Sequence, residues 1–330
     1  MKKIFFIVCL IYNFFMTTLF ASSTIEFIDS VNRKIEVPKK IERIVPSGYN
    51  TQIIIAGFSP EMMVSISKEV PKKVLQKIPT YPYNLPITGQ FYGKTSNFNK
   101  EELINLQPDI IIDIGEKKKN IVNDLNEISK STDIPVVFIE FNLKNITTIY
   151  DLLGKLLNKE EKAKEINNFL TKNLNMISDG LAKIPLEDRL SFIQVGGKSF
   201  SIDPANSSHT EAIETAGGIN KAKIGNSNKK SRTENLNIEE IITWDPDIIF
   251  VKDKASYEAI LEDSRWSNLK ALKNKKIFLI PENPYNYVTS PPSINKIMGV
   301  FWAAQIMYPQ IFDYDLNNLE KEFNHLIFGF

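Results

Sequence analysis

Sulfur and imidazole are scarce in this chain. Among 330 residues there is one cysteine, Cys9, and there are two histidines, His209 and His325. Cys9 lies inside an N-terminal apolar stretch. Once that stretch is removed no thiol remains, which excludes disulfides, thiolate metal sites and a cysteine nucleophile. An excess of one charge is lacking too, since 40 basic residues face 39 acidic ones. Near-neutrality argues against nucleic acid as a partner, because phosphate binding needs concentrated positive charge. Beyond the N-terminus no apolar run is long enough to cross a bilayer. There is no Gly-x-Ser-x-Gly elbow and no His-Glu-x-x-His pair. Gly89-Gln90-Phe91-Tyr92-Gly93-Lys94-Thr95 resembles a phosphate loop, but it has one residue too few between its glycines and follows a turn. Catalysis is therefore poorly supplied, and an extracytoplasmic metal-dependent hydrolase is the weaker reading from another functional class.

The N-terminus has the charged, apolar and small-residue order of a secretory signal. Lys2 and Lys3 precede the run Ile4–Phe20, and Ala21-Ser22-Ser23 follows. The reading predicts a cleavable signal over residues 1–23. Cys9 is too early to be the lipid-bearing cysteine at the end of such a segment, so a lipoprotein is not expected.

The most informative feature that is present is a repeat. Asn97-Phe98-Asn99-Lys100-Glu101-Glu102-Leu103-Ile104 with Gln107-Pro108-Asp109-Ile110-Ile111 returns as Asn235-Leu236-Asn237-Ile238-Glu239-Glu240-Ile241-Ile242 with Asp245-Pro246-Asp247-Ile248-Ile249. Each copy reads as a capped helix, a Pro-Asp break and a short, fully apolar run of the kind found in buried parallel strands. Pro108 and Pro246 are 138 positions apart (246 − 108), too far for a solenoid repeat. Two similar α/β lobes facing a cleft are expected instead. Further predicted strands are Arg43–Val45, Met63–Ile66, Pro135–Ile139, Phe192–Val195 and Lys276–Ile280. A hairpin is expected over Thr24–Val37, a helix over Thr51–Gly57 and an amphipathic helix over Pro291–Tyr308. From Asn145 to Leu181 there is no proline, and Ile149, Leu152, Leu153, Leu156, Ala163, Ile166, Leu170, Leu174 and Ile177 keep helical spacing, with an interruption expected at Asn158-Lys159. The fold class is α/β, with two Rossmann-like lobes, each a parallel sheet flanked by helices. Residues 24–144 form the first lobe, 145–183 a long connecting helix and 184–330 the second lobe.

In each repeat an asparagine stands three residues before the second glutamate, the asparagine analogue of a capping box. Capping accounts for Glu102 and Glu240 and leaves Glu101 and Glu239 at the second helical position without a structural task beyond favourable placement near the helix dipole.

The signal segment, Arg43-Ile44-Val45-Pro46, the duplicated Glu-x-Ile/Leu…Pro-Asp-Ile-Ile element, the linking helix and Trp266-x-x-Leu-x-x-Leu-x-x-Lys-x-x-Phe together resemble the class III, helical-backbone periplasmic binding proteins of ABC importers. The resemblance covers essentially the whole chain after residue 23. It implies a periplasmic, monomeric receptor without catalytic activity or a permanently bound cofactor, which delivers its ligand to an inner-membrane ABC permease dimer with its ATPase. In that family one glutamate per lobe, seven positions before the proline, docks on the permease, which implies Glu101 and Glu239 here.

The resemblance also places a ligand between the lobes, at loops following the strands. These loops imply Ser47, Tyr49, Asn50, Tyr92, Lys94, His209, Tyr285 and Tyr287 as binding residues, with His209 and Tyr287 as candidate metal ligands. Arg232, like Lys94, is a candidate partner for an anionic chelate. The expected ligand is a metal chelate, foremost an iron–siderophore or related iron complex. Cobalamin, haem, a nickel complex and a molybdate-type oxyanion are the alternatives.

Overall fold

In this computed structural model the described residues are 24–78, 80–91, 97–197, 200–222, 238–289, 291 and 293–330. The chain opens with strand β1 (Thr24–Ile28) and strand β2 (Lys34–Pro38), paired antiparallel as the expected hairpin. Asp29 closes its turn by accepting the backbone N–H groups of Val31 and Arg33. The Arg33 guanidinium pairs with the same carboxylate at 2.7 Å and donates to the Val136 carbonyl, which ties the hairpin to the first lobe.

That lobe holds a parallel sheet of β3 (Ile44–Pro46), β4 (Ile110–Gly115) and β5 (Val136–Glu140), in that order. Val45 sits opposite Ile111 and Ile112 opposite Val137. Residues Ile110–Ile114 are all buried, as a strand covered by helices on both faces requires. Around the sheet lie helix α1 (Tyr49–Phe58), the short α2 (Lys72–Leu75), α3 (Lys100–Asn105) and α4 (Ile121–Thr132). The expected strand Met63–Ile66 is only a pair of bridges, Met63 to Ile44 and Ile66 to Ile87, because its hydrogen bonding changes partner after one residue.

The segment 145–183 is a hairpin of two helices, α5 (Ile146–Leu157) and α6 (Glu160–Leu181). Asn158 turns the chain in the left-handed conformation, φ 54°. Gly154 lets the helices meet, since a Cβ there would lie 2.8 Å from that of Ala163. The Asn167 amide reaches back to the Thr147 carbonyl and the Asp151 carboxylate.

The second lobe contains β6 (Ser191–Gly196), β7 (Ser201–Ile202), α7 (Glu211–Thr215), β8 (Ile219–Asn220), α8 (Ile238–Trp244), β9 (Ile248–Val251), α9 (Lys254–Glu262), α10 (Lys270–Lys273) and β10 (Ile277–Leu279). Strands β10, β9 and β6 run parallel, and β6 also carries β8 at its start and antiparallel β7 at its end. The chain finishes with α11 (Lys296–Met307) and α12 (Leu316–Phe328). Helix α11 is five residues shorter at its start than the expected Pro291–Tyr308 helix, and it is buried on nearly every side instead of one. The largest hydrophobic core runs through both lobes, joining α1, α5, α6, α11 and α12. Two smaller cores fill the outer faces of the sheets. Helix α12 packs on α1 so closely that a Cβ on Gly57 would lie 2.5 Å from the Ile327 carbonyl oxygen.

The repeat proves to be a device for joining strands. Asn99 caps α3 by accepting the Glu102 N–H at 3.1 Å, while Asn237 lies outside the described residues. Both residues before the prolines, Gln107 and Asp245, have positive φ, 45° and 36°. The aspartate after each proline then clamps the start of the neighbouring strand. Asp109 accepts the N–H groups of Glu42 and Arg43 at 2.7 and 2.9 Å, and Asp247 accepts the Ser191 N–H at 2.8 Å. Backbone donors at a strand start have no ladder partner, and each lobe satisfies them in the same way.

Candidate functional site

Strand β3 ends at Pro46, and Ser47-Gly48 turns the chain directly into α1. Gly48 is extended and no side chain caps the helix. The first N–H groups of an α-helix have no intrahelical acceptor, so this terminus carries open donors and the positive end of the helix dipole. It faces a cavity of about 390 Å³ lined by Ser47–Thr51, Gln90, Asp113–Glu116, Lys118, Ile121, Phe138 and Pro291. Thr51 holds the helix to β4, its hydroxyl accepting the Ile114 N–H at 2.8 Å. Ser47 donates to Asp113 Oδ1 at 2.5 Å. Burial pushes the Asp113 carboxyl up from the ordinary carboxylate range, against the opposing pull of Ser47, Lys118 and Arg33.

A second cavity of about 340 Å³ shares Glu116 with the first and crosses to the other lobe. Its walls are Glu116, Lys117, Glu140–Asn142 and Lys144 on one side and Asn206–Ser208, Glu211 and Glu214 on the other. Glu211 joins the lobes there. One carboxylate oxygen accepts the Leu143 N–H at 2.8 Å, and the other pairs at 2.9 Å with Lys296, whose ammonium lies 5.4 Å from the Phe141 ring centre. Lys296 is only 1% exposed. The Glu214 carboxyl is pushed up by burial, opposed by the Asn206 N–H and the Thr210 hydroxyl.

The expected site residues fall into three groups. Ser47, Tyr49 and Asn50 line the first cavity. Tyr49 meets Tyr285 edge-on with ring centres 6.3 Å apart, and burial pushes its phenol up to about 12. Tyr92, Lys94 and Arg232 lie outside the described residues. The third group is His209, Tyr285 and Tyr287. Tyr285 and Tyr287 are 4% and 3% exposed and belong to the core, because the loop carrying them tucks beneath α12. The Tyr287 hydroxyl donates to Glu320 on that helix. His209 is half-buried, with Nδ1 hydrogen-bonded to Thr289 at 2.5 Å. His209 and Tyr287, expected to ligate a metal, thus each hold a protein partner. Among the described residues no three His, Cys, Asp or Glu side chains are grouped to hold a metal ion. Glu101 and Glu239 are exposed at the starts of α3 and α8, and Arg265 interacts electrostatically with Glu239.

Sequence reasoning missed Asp113, Glu116, Lys118, Glu211 and Lys296. Asp113 had a signal, a lone acid inside the otherwise apolar strand Ile110–Ile114. Lys296 had none, since a lysine opening a helix is ordinary.

The chain belongs to the periplasmic binding protein family, whose profile matches residues 64–284. The family consists of substrate-binding transport proteins, and no helix among the described residues is long and apolar enough to cross a membrane. The chain is 22% identical over 328 residues to the molybdate-binding protein MolA of Haemophilus influenzae, with 89% of this chain and 88% of that one covered. It is 26% identical over 193 residues to the Fe(3+)-citrate-binding protein YfmC of Bacillus subtilis, with 56% and 58% covered. An ABC transporter solute binding protein from Sulfurospirillum deleyianum superposes with a TM-score of 0.83 at 27% identity, covering 94% of this chain and 96% of that one. The fold expected from the repeat, two α/β lobes with parallel sheets, is the fold of these proteins.

Proposed function

We propose that this protein is the exported receptor of an ABC importer and captures a compact anionic metal species, a molybdate-type oxyanion or a small ferric carboxylate chelate. The observation that carries this reading is the uncapped N-terminus of α1, opening with Ser47, Asn50 and Lys118 on a cavity of about 390 Å³ in the first lobe, with Pro291 of the second at its edge. Open backbone donors at a helix start bind anions. Similarity to a molybdate-binding protein over most of both chains supports the oxyanion. The adjoining cavity across Glu116 favours a second reading, a larger iron chelate spanning both spaces, and similarity to a ferric-citrate-binding protein supports it.

In this reading Tyr49 shapes the pocket mouth, and Tyr92, Lys94 and Arg232 remain candidates to complete it. Residues 1–23 act as a leader, and Glu101 and Glu239 dock the two lobes on a permease dimer driven by its ATPase. The test is calorimetric titration of purified protein with molybdate, tungstate, ferric citrate and haemin. Tight one-to-one binding of one of the small anions is expected. Tight haemin binding with none of the anions retained would reject the reading.

A further inference from the structure

Asp113 presents a problem for any anion in this pocket. The carboxyl is 7% exposed, sits in the middle of β4 and lines the same cavity as the start of α1. Its hydrogen-bond partner is neutral, the Ser47 hydroxyl, and it belongs to no ion pair among the described residues. The charged groups facing the region are Lys118 and Glu116 from the loop after β4 and Arg33 from the β1–β2 turn, the last committed to Asp29 at 2.7 Å. An ionised Asp113 would place a second negative charge beside the ligand, and a carboxyl this deeply buried is screened less than a surface one, so the two would repel.

We infer that Asp113 keeps a proton when the cleft is filled, so that the pocket takes up its anion together with one proton and uses Asp113 as a hydrogen-bond donor. This rests on the anion reading above. Ser47 occupies Oδ1 from the donor side, which leaves Oδ2 to carry the proton. Atoms and charge balance simply: the deprotonated site, one solvent proton and the anion give the complex, with no bond broken in the ligand. A protonated carboxyl donates, so the pocket selects oxygens that only accept, those of a fully deprotonated oxyanion or of an outward-facing chelate carboxylate. Burial already pushes this carboxyl towards its acid form before any ligand arrives.

The experiment is titration calorimetry with molybdate, and with ferric citrate as second probe, between about pH 6 and pH 9 in two buffers of different ionisation enthalpy. Above the free carboxyl's titration, uptake should approach one proton per anion, and affinity should fall by up to about tenfold per pH unit. In Asp113→Asn the amide still accepts from Ser47 and can donate, so uptake should vanish and affinity should become flat with pH. Anion binding without proton uptake in the wild type, or uptake persisting in Asp113→Asn, overturns this inference and leaves the anion reading standing. Loss of all binding in a folded Asp113→Asn, with a pH-independent wild type, shows an ionised carboxylate holding a cation and overturns it as well. Failure of both probes to bind the wild type at any pH removes the anion reading and this inference with it.

Discussion

The two lobes are built from one unit and finished differently. Both place a positive-φ residue before a proline and use the following aspartate to fasten the neighbouring strand, Asp109 on Arg43 and Asp247 on Ser191. Beyond the ends of those strands they diverge. The first lobe has two buried acids, Asp29, which is paired with Arg33 at 2.7 Å, and Asp113, which is hydrogen-bonded to a hydroxyl and lines a cavity. In the second the buried acid is Asp203, fully buried, paired with Lys252 at 2.9 Å and held by the Gln194 amide at 2.7 Å. Asp203 and Asp29 are each neutralised by a cation of their own lobe, while Asp113, the acid at the cavity, belongs to no ion pair among the described residues. A repeat fixes the scaffold, and the residues that break the repeat make the site.

The largest effect is expected from replacing Glu101 and Glu239 together by alanine. Uptake should be abolished, ligand affinity should be unchanged and stability should move by no more than about 0.5 kcal/mol, because both side chains are exposed. Each single variant should be milder, since the other lobe keeps its contact, and a double variant that transports at the wild-type rate would end the docking assignment.

Lys252→Met removes the cation from a buried pair whose side chains are 9% and 0% exposed. Breaking such a pair from one side costs about 3–5 kcal/mol, readable by urea unfolding. A loss below about 1 kcal/mol would show that the second lobe does not depend on its internal ion pair.

Gly57→Ala should cost about 1–3 kcal/mol, because the added methyl would lie 2.5 Å from the Ile327 carbonyl oxygen where α12 crosses onto α1. Unchanged stability would mean that the terminal helix can lift from the first lobe.

The smallest effect concerns Asp113. Its carboxyl titrates higher in the folded than in the unfolded chain, so wild-type stability declines as pH rises from the ordinary carboxylate range through the raised folded value. Asp113→Asn lacks that decline. It should match the wild type in acid and exceed it at neutral pH, opposite in sign to Lys252→Met. Equal pH profiles for the two proteins would contradict the assignment.

Much of the scaffold could be read in the residues alone. Apolar runs such as Ile110–Ile112 and Ile248–Val251 became strands because runs of this kind suit a sheet covered on both faces. Asn99 became a cap because its side chain and a free N–H lie three residues apart. The site was less legible. Tyr285 and Tyr287 looked like cleft residues because aromatics serve both cores and pockets, and only the packing of α12 over their loop decides between the two. Glu211 and Lys296, 85 residues apart, meet through tertiary structure that no local pattern announces.

The central claim is that the first lobe's helix start holds the ligand. Crystals grown with molybdate and measured at the molybdenum absorption edge test it most directly. One strong anomalous peak is expected in the cleft, within hydrogen-bonding reach of the Tyr49–Thr51 backbone N–H groups and beside Asp113. A peak confined to the second lobe around His209 and Thr289, with the α1 terminus empty, would contradict it.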